Sequence, residues 1–153
     1  MDPVLFSSNK LDWCTPKGVF AALNDEFDFV LDAAASDKNA KCSEYYTEKD
    51  DALIQSWNKG GAVFCNPPYG RQLGAWVKKA YEESKKMIYP VVLLVPARTD
   101  TSYFHEFIYG ASTIRFIRGR RWCSQRECTV SVDDCHIQLQ LLIEVIQCKP
   151  NLK

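Results

Sequence analysis

The chain has 153 residues, of which 46% are hydrophobic and 25% charged, and it carries no net charge. A chain of this length predicts one domain that buries a core without help from disulfides or metal ions. No apolar run approaches the roughly 18 residues of a membrane span, and Met1-Asp2-Pro3 does not open a signal peptide. The seven cysteines are odd in number, which favours a reducing cytoplasm over a secreted disulfide framework.

The charged residues are divided unevenly along the chain. Residues 1–60 hold 6 Lys and Arg against 11 Asp and Glu, whereas residues 61–121 hold 10 against 4. An acidic first part and a basic middle fit a protein that holds a cation in one place and a polyanion in another.

Hydrophobic periodicity predicts helices and strands in alternation along the chain. The predicted helices begin at Thr15-Pro16, at Gln72 and at Asp100 or Thr101. The predicted strands cover residues 27–31, 62–65, 90–96 and 114–117. Thr15 is expected to be the N-cap of the first helix, with Pro16 at the first helical position. Residues 36–51 are polar and are expected to be irregular.

Strands that alternate with helices are typical of the α/β class with a doubly wound parallel sheet. The apolar run over residues 90–96 has the composition of a strand that is buried on both faces. Ligands bind such sheets beyond the carboxyl ends of the strands, and Asp32 and Asn66 each follow a predicted strand. We therefore expect both side chains at one edge of the sheet, next to a ligand.

The segment AVFCNPPYG, residues 62–70, ends a short apolar run with an amide, two prolines and a tyrosine. Pro67 and Pro68 have a nearly fixed φ and donate no ladder hydrogen bond, so they stop the strand and hold the turn rigid. Asn-Pro-Pro-Tyr after a strand resembles the catalytic motif of amino-methyltransferases that use S-adenosylmethionine. The motif by itself is also compatible with a plain turn, and it leaves glutamine, guanine, cytosine and adenine amines open as acceptors.

Further segments extend this resemblance. They are WCTP at residues 13–16, FDFVLDAAA at 27–35, NAKCSEYYTEKDDAL at 39–53, VFCNPPYG at 63–70, VVLLVPARTDTSYFHEF at 91–107 and IRFIRGR at 114–120. In this order they resemble the phage DNA N-6-adenine-methyltransferase family over roughly residues 11–120. The resemblance implies an enzyme of phage or prophage origin that methylates adenine in double-stranded DNA in the cytoplasm of a bacterial host.

By this resemblance, the Asn66 side-chain oxygen and the Pro67 carbonyl accept the two hydrogens of an exocyclic amine, so that its nitrogen can pyramidalise toward the methyl donor. Pro68 completes the rigid corner, and Tyr69 is expected to stack on a base that has left the duplex. The alternatives are methylation of another amine, such as protein glutamine or RNA guanine, and an inactive remnant that only binds nucleic acid.

The resemblance also implies S-adenosylmethionine as the cofactor. The residues expected to line its pocket are Thr15, Pro16, Asp32, Ala33 and Ala34, together with Asp50 or Asp51 as the acceptor for the cofactor's adenine amine. The turn after Asp32 has no glycine-rich fingerprint and lies only a short stretch before Asn66. The expected fold is therefore an abbreviated Rossmann-like sheet of the methyltransferase type.

Basic side chains in the middle of the chain are candidates for phosphate contact. They are Arg71, Lys78, Lys79, Arg98, Arg115, Arg118 and Arg120. Arg98 follows an apolar strand and is the favoured candidate. The two histidines, His105 and His136, have no partner pattern typical of a metal site, so no metal is expected.

The pattern changes after Arg120, so residues 1–120 are predicted to be the methyltransferase domain and residues 121–153 an atypical tail. The family continues with a segment like Asn-Ala-Pro-Phe-Pro-Ser and a hydrophobic strand, whereas residues 127–138 read ECTVSVDDCHIQ. Displaced by one base, the codons of that segment permit Asn, Ala, Pro, Phe, Pro, Ser, Met, Ile, Ala, Ile and Phe. We therefore hypothesise a frameshift, which would leave a sheet edge unpaired beside residues 114–117 and reduce stability and activity. Residues 138–147 are the candidate for an accidental replacement strand or helix.

The nucleotide sequence tests the frameshift hypothesis directly. We expect the DNA that encodes residues 127–138, read one base out of register, to spell the family segment without a stop codon. Sequencing the gene checks this expectation, and a different spelling at several of these codons would contradict it.

Overall fold

The computed structural model describes residues 15–117 and the backbone of residues 140–145. The strands are β1 (Phe29–Asp32), β2 (Glu44–Tyr45), β3 (Ala62–Cys65), β4 (Val91–Pro96), β5 (Thr113–Ile117) and β6 (Gln140–Val145). The helices are α1 (Lys17–Phe27), α2 (Leu73–Lys86) and a π-helical turn (Phe104–Ile108). The six strands form one sheet in the order β2-β1-β3-β4-β6-β5.

The larger part of the sheet is parallel. Strands β2, β1, β3 and β4 are parallel neighbours, and β6 runs antiparallel between β4 and β5. The connection from β3 to β4 contains α2, as a parallel crossover requires. The prediction of an α/β protein with a parallel sheet is confirmed, and the carboxyl ends of β1, β3 and β4 meet at one edge.

Helices cover both faces of this sheet. Leu23 of α1 belongs to one buried cluster with Phe64 of β3 and Leu94 of β4. Val77 of α2 belongs to the other cluster, with Leu93 of β4. Successive residues of a strand point to opposite faces, so the two clusters lie on the two sides of the sheet. Every residue of β3 and β4 is buried, which explains their unbroken apolar sequences.

Strand β1 contains a bulge. Its pairing with β3 shifts register between Phe29 and Leu31, so Val30 is an extra residue. Phe29 and Leu31 therefore belong to opposite clusters although they are two positions apart. A side chain on Gly61 would collide with Val30, so the chain needs a glycine where the start of β3 passes the bulge.

The first predicted helix differs in detail from the structure. The N-cap position is occupied by Pro16, and α1 begins at Lys17, one residue later than predicted. The prediction that Thr15 caps α1 is wrong: the helix has no side-chain cap, because the Thr15 hydroxyl bonds elsewhere. Helix α1 also includes Phe27, so β1 starts two residues later than predicted.

Two further segments differ from the predicted pattern. Strand β2 lies inside the stretch predicted to be irregular, and the Tyr46 N–H that follows it donates to the Asp32 carbonyl at 3.0 Å. The third predicted helix is π-helical, with Phe104 and Ile108 buried. Both elements are shorter than the windows on which periodicity depends.

The sheet edge beside β5 is not left unpaired. Strand β6 pairs with β4 on one side and with β5 on the other. The expectation of an unpaired edge is therefore wrong. The alternative that residues 138–147 supply a replacement strand is confirmed, because β6 lies within them. The tail residues 121–139 and 146–153 lie outside the described residues.

A buried acidic side chain ties the loop before β3 to α2. The side chain of Glu83 is 2% exposed. One carboxylate oxygen accepts the Trp57 N–H at 2.9 Å, and the other accepts from Lys79 at 2.8 Å and Lys86 at 3.0 Å. Burial by itself raises the pKa of Glu83, but these hydrogen bonds, led by that from Lys79, hold the pKa below its ordinary value. The Trp57 indole donates in turn to the Ala52 carbonyl at 2.8 Å.

Removing this carboxylate should destabilise the protein. Glu83→Ala leaves the Lys79 ammonium, whose side chain is 13% exposed, without its partner and the Trp57 N–H without its acceptor. We expect the free energy of unfolding to fall by about 3–5 kcal/mol. Glu83→Gln keeps an acceptor for the Trp57 N–H and should cost less. Urea denaturation measures both variants.

The neighbouring glutamate provides a matched control. Glu82 lies 3.9 Å from Lys78, and both side chains are largely exposed. Glu82→Ala should leave the free energy of unfolding within about 0.5 kcal/mol of the wild type. Equal losses in the two alanine variants would contradict the proposed importance of Glu83.

Candidate functional site

The segment Asn66-Pro67-Pro68-Tyr69 forms the corner between β3 and α2. In the pairing of β1 with β3, Asp32 lies opposite Phe64, two residues before Asn66. Asp32 and Asn66 line the same cavity. The prediction that these two side chains share one edge of the sheet is confirmed.

Both ends of the Asn66 side chain contact other residues. Its Nδ2 donates to Thr15 Oγ1 at 3.0 Å. Its Oδ1 accepts from the Tyr69 hydroxyl at 3.3 Å. The amide is thus held by the segment before α1 and by its own corner.

Tyr69 is a core residue rather than an exposed ring. It is 6% exposed and belongs to the cluster that contains α2. Its hydroxyl lies 3.3 Å from Asn66 Oδ1 and 3.4 Å from the Leu94 carbonyl oxygen, and burial raises its pKa. Protein atoms cover the ring, and this burial argues against the expected stacking of Tyr69 on a base. The hydroxyl supports Asn66 instead.

A cavity of about 560 Å³ opens at this edge of the sheet, a size typical of small-molecule sites. The predicted site residues that line it are Thr15, Asp32, Ala34, Asp51, Asn66, Pro67 and Pro68. Those that do not line it are Pro16, Ala33, Asp50 and Tyr69. Ala33 is fully buried, and its N–H donates to the Phe64 carbonyl at 2.8 Å, so it extends the pairing of β1 with β3.

The charged groups of the cavity wall are mostly acidic. Four carboxylates and two ammonium groups line it, namely Asp32, Asp37, Glu48, Asp51, Lys41 and Lys49. Such a wall favours a ligand that carries positive charge. The two lysine ammonium groups could form ion pairs with an anionic group of the same ligand.

Asp32 is the buried carboxylate of the wall, with 2% of its surface exposed. Its oxygens accept the backbone N–H groups of Ala34 at 3.3 Å and Lys41 at 3.1 Å. Burial raises the pKa of Asp32 to about 6, and these two hydrogen bonds only partly offset the effect.

Burial and the Asp32 charge also raise the pKa values of the Cys42 and Cys65 thiols. Both thiols therefore stay protonated near neutral pH.

The structure distinguishes Asp50 from Asp51. The Asp50 carboxylate accepts from the Thr47 hydroxyl and N–H, both at 2.7 Å, and these bonds lower its pKa. Asp50 thus stabilises an exposed turn. Asp51 lines the cavity and has a left-handed backbone with φ of 51°. The Asp50 carboxylate is committed to Thr47, whereas Asp51 belongs to the cavity wall, so Asp51 is the better candidate of the pair.

Several residues of the cavity wall were not predicted from the sequence. Tyr46 lines the cavity directly after β2, a strand too short to predict. Trp76 fits the apolar stripe of α2, yet it also lines the cavity. Its buried indole Nε1 has no hydrogen-bond partner within the described part of the chain. A buried indole N–H needs a hydrogen-bond acceptor. A tryptophan in the apolar stripe of α2 was therefore the sequence feature that could have indicated a wall residue.

Three candidates for phosphate contact lie on α2 or just before it. Arg71 is exposed. Lys78 is largely exposed and lies 3.9 Å from Glu82. The side chain of Lys79 is 13% exposed and its ammonium bonds to buried Glu83 at 2.8 Å, which argues against phosphate contact by Lys79.

The remaining candidates follow β4. Arg98 is exposed just beyond the carboxyl end of that strand. Arg115 donates two hydrogen bonds to Glu26 at 2.7 and 2.8 Å, so its guanidinium joins β5 to α1. That role argues against phosphate contact by Arg115. Arg118 and Arg120 lie outside the described residues.

Within residues 15–117, no three His, Cys, Asp or Glu side chains are grouped so that they could hold a metal ion. The helices of the described segments are all too short or too polar to span a bilayer.

The chain belongs to the DNA N-6-adenine-methyltransferase (Dam) family, whose profile matches residues 5–139. The match includes the whole of residues 11–120, over which the motifs resemble this family, and extends beyond Arg120.

Two relatives illustrate this membership. The chain is 36% identical over 106 residues to the DNA N-6-adenine-methyltransferase of Escherichia phage T1, which is 69% of this chain and 44% of the phage protein. It is 44% identical over 63 residues to the Escherichia coli K12 protein named "Putative methyltransferase YfdM", which is 37% of this chain and 69% of that protein. The chain therefore spans less than half the length of the phage T1 protein.

The raised pKa of Asp32 makes stability depend on pH. The pKa is about 6 in the folded protein, against an ordinary value of 3.8. The folded protein therefore binds this proton more tightly than the unfolded chain. Asp32 stabilises the fold fully below about pH 4, and this contribution is lost as the pH rises through about 6.

Asp32→Asn removes this titration. Relative to the wild type, the free energy of unfolding of the variant should rise by on the order of 1 kcal/mol between about pH 5 and pH 8. Urea denaturation across this range measures the difference between the two proteins. A difference that stays constant with pH would contradict the raised pKa of Asp32.

Proposed function

We propose that this chain is an S-adenosylmethionine-dependent methyltransferase that acts on the exocyclic amine of adenine in double-stranded DNA. The observation that carries the proposal is the Asn66 amide, which is held at both ends and lines a cavity beside a rigid corner. Membership of the family and similarity to the phage T1 enzyme support the same reaction.

The chemistry of the acceptor explains why an amide suits this position. The amine nitrogen of a nucleobase is a poor nucleophile, because its lone pair is conjugated with the ring. In the proposed site, Asn66 Oδ1 and the Pro67 carbonyl oxygen accept the two amine hydrogens. The lone pair then becomes available. As the nitrogen bonds to the methyl carbon, the bond between that carbon and the donor sulfur would break and leave a neutral thioether, and the nitrogen would lose one proton to water. Positioning and aimed dipoles supply the catalysis, and no covalent bond to the protein is needed.

The cavity has the charge that this cofactor requires. S-adenosylmethionine, when bound, supplies a methyl group carried on a positively charged sulfur. Four of the six charged side chains in the wall are carboxylates, and carboxylates favour such a cation. Asp51 and Asp32 are the residues proposed to hold it, and a cation beside Asp32 would favour its ionised form. The buried Trp76 Nε1, unpartnered within the described part of the chain, is a further donor at the wall.

The fold is proposed to be an abbreviated Rossmann-like, doubly wound sheet. The parallel order β2-β1-β3-β4, the helices on both faces and the cavity at the carboxyl ends support this assignment. It is abbreviated because residues 33–61 contain the short strand β2 but no α-helix.

Double-stranded DNA is the proposed partner. Arg98 follows β4 at the edge where Asn66 follows β3, and Arg71 lies just past the corner. Both are exposed, so their charges are accessible to phosphate groups. The target base must leave the duplex to reach Asn66, at a cost of about a few kcal/mol.

The predicted impairment depended on an unpaired edge beside β5. Strand β6 fills that place, so this reason for inactivity is removed. We therefore propose that the chain is active.

Labelled cofactor tests the reaction. With methyl-labelled S-adenosylmethionine and double-stranded DNA, the label should appear on adenine. Asn66→Ala should lower the transfer rate at least about 100-fold and leave cofactor affinity within about threefold, because the amide acts on the amine and not on the donor.

Another asparagine provides the control. Asn58 is exposed outside the cavity wall, and its Oδ1 accepts the Gly60 N–H at 3.4 Å. Asn58→Ala should keep the wild-type rate. Label on another base or on protein would reject adenine as the acceptor, and a wild-type protein that transfers no label would reject the function. Undiminished transfer by Asn66→Ala would remove Asn66 from the reaction.

A further inference from the structure

We infer that Thr15 is a positioning residue for Asn66: its hydroxyl fixes the orientation of the Asn66 amide and strengthens the amide oxygen as an acceptor. This inference rests on the proposed function, and it gives Thr15 a role other than contact with the cofactor.

The contact itself is short and buried. Asn66 Nδ2 donates to Thr15 Oγ1 at 3.0 Å across a separation of 51 residues in sequence. Thr15 is 5% exposed, so little water is available to replace its hydroxyl as the partner. A hydrogen bond of this kind is stronger away from water than on the surface.

The Thr15 hydroxyl is diverted from its usual local role. A threonine near the start of a helix commonly accepts a backbone N–H from the first turn. Helix α1 has no side-chain cap, and Pro16 occupies its N-cap position. The chain therefore forgoes a cap at α1 while the hydroxyl bonds to Asn66, which is the pattern expected when a side chain serves a site.

Orientation decides what the amide can do. The oxygen and nitrogen ends of an asparagine side chain are nearly equal in shape, but only the oxygen accepts a hydrogen from an amine. An amide turned the other way would set its own N–H donors against the donors of the base. In the structure Nδ2 faces Thr15 and Oδ1 faces Tyr69, and the Thr15 contact is inferred to hold the amide in this orientation.

The hydrogen bond to Thr15 also makes the Asn66 side-chain oxygen a stronger hydrogen-bond acceptor. A hydrogen bond donated by one end of an amide polarises the group, so the oxygen at the other end becomes a better acceptor. Thr15 is thus placed to act on the amine through Asn66 without contact with the reacting atoms.

A competing role is direct contact with the cofactor, because Thr15 also lines the cavity. The two roles differ in what they predict. A positioning residue affects turnover, whereas a cofactor ligand affects cofactor affinity.

The test compares Thr15→Val, which keeps the shape and removes the hydroxyl, with Thr15→Ser, which keeps the hydroxyl. Thr15→Val should lower kcat for DNA methylation about tenfold or more and leave the cofactor Kd within about threefold. Thr15→Ser should recover most of the lost kcat. Thr113→Val, an exposed position at the start of β5, should behave as the wild type.

A second readout does not depend on activity. The side-chain amide signals of Asn66 in ¹⁵N–¹H spectra are identified by their loss in Asn66→Ala. In Thr15→Val these signals should shift and their protons should exchange faster with solvent, whereas Thr15→Ser should largely restore them. Thr113→Val should leave them unchanged.

Two outcomes would overturn the inference: equal losses of kcat and cofactor affinity in Thr15→Val, or Asn66 amide signals that do not respond to removal of the hydroxyl. A wild-type protein that methylates no DNA would reject the proposed function separately. The amide signals would in that case still report whether Thr15 orients Asn66.

Discussion

The parallel pairing of β1 with β3 is the constraint on which the site depends. It sets Asp32 opposite Phe64, so the carboxylate that ends one strand lies beside the asparagine that follows the next. The bulge at Val30 adjusts this register, and the two prolines after Asn66 end β3 at a fixed point. The site is therefore built from short segments of several elements, each held by the sheet rather than by its own local structure.

The buried carboxylates of Glu83 and Asp32 have pKa values shifted in opposite directions by their surroundings. Glu83 receives two lysine ammonium groups and a backbone N–H, and its pKa is lowered. Asp32 receives only two backbone N–H groups, and burial raises its pKa to about 6. The first carboxylate stays ionised and serves the fold. The second lies at the cavity wall, where a cationic ligand would supply the compensation that the protein itself does not.

Local pattern predicted the unbroken apolar strands and the amphipathic helix, because apolar runs and helical periodicity leave few alternatives. Strand β3 and helix α2 lie almost where the sequence placed them. The corner at Asn66 was predictable because a proline restricts its own φ and has no N–H to donate, whatever the rest of the fold. The burial of Tyr69 was not, since it depends on packing. Glu83 follows Lys79 by four residues, so helical spacing offers this ion pair, but the burial of Glu83 depends on the distant Trp57 segment. Asp50 and Asp51 are adjacent and chemically equal, so only the turn geometry separates them.

The position of β6 has a consequence for how the chain matures. Strand β5 reaches the rest of the sheet only through β6, so the outer side of β4 stays open on the ribosome until residues 140–145 emerge. During that interval the nascent chain exposes an apolar strand with unsatisfied backbone groups, which is a state prone to wrong pairing.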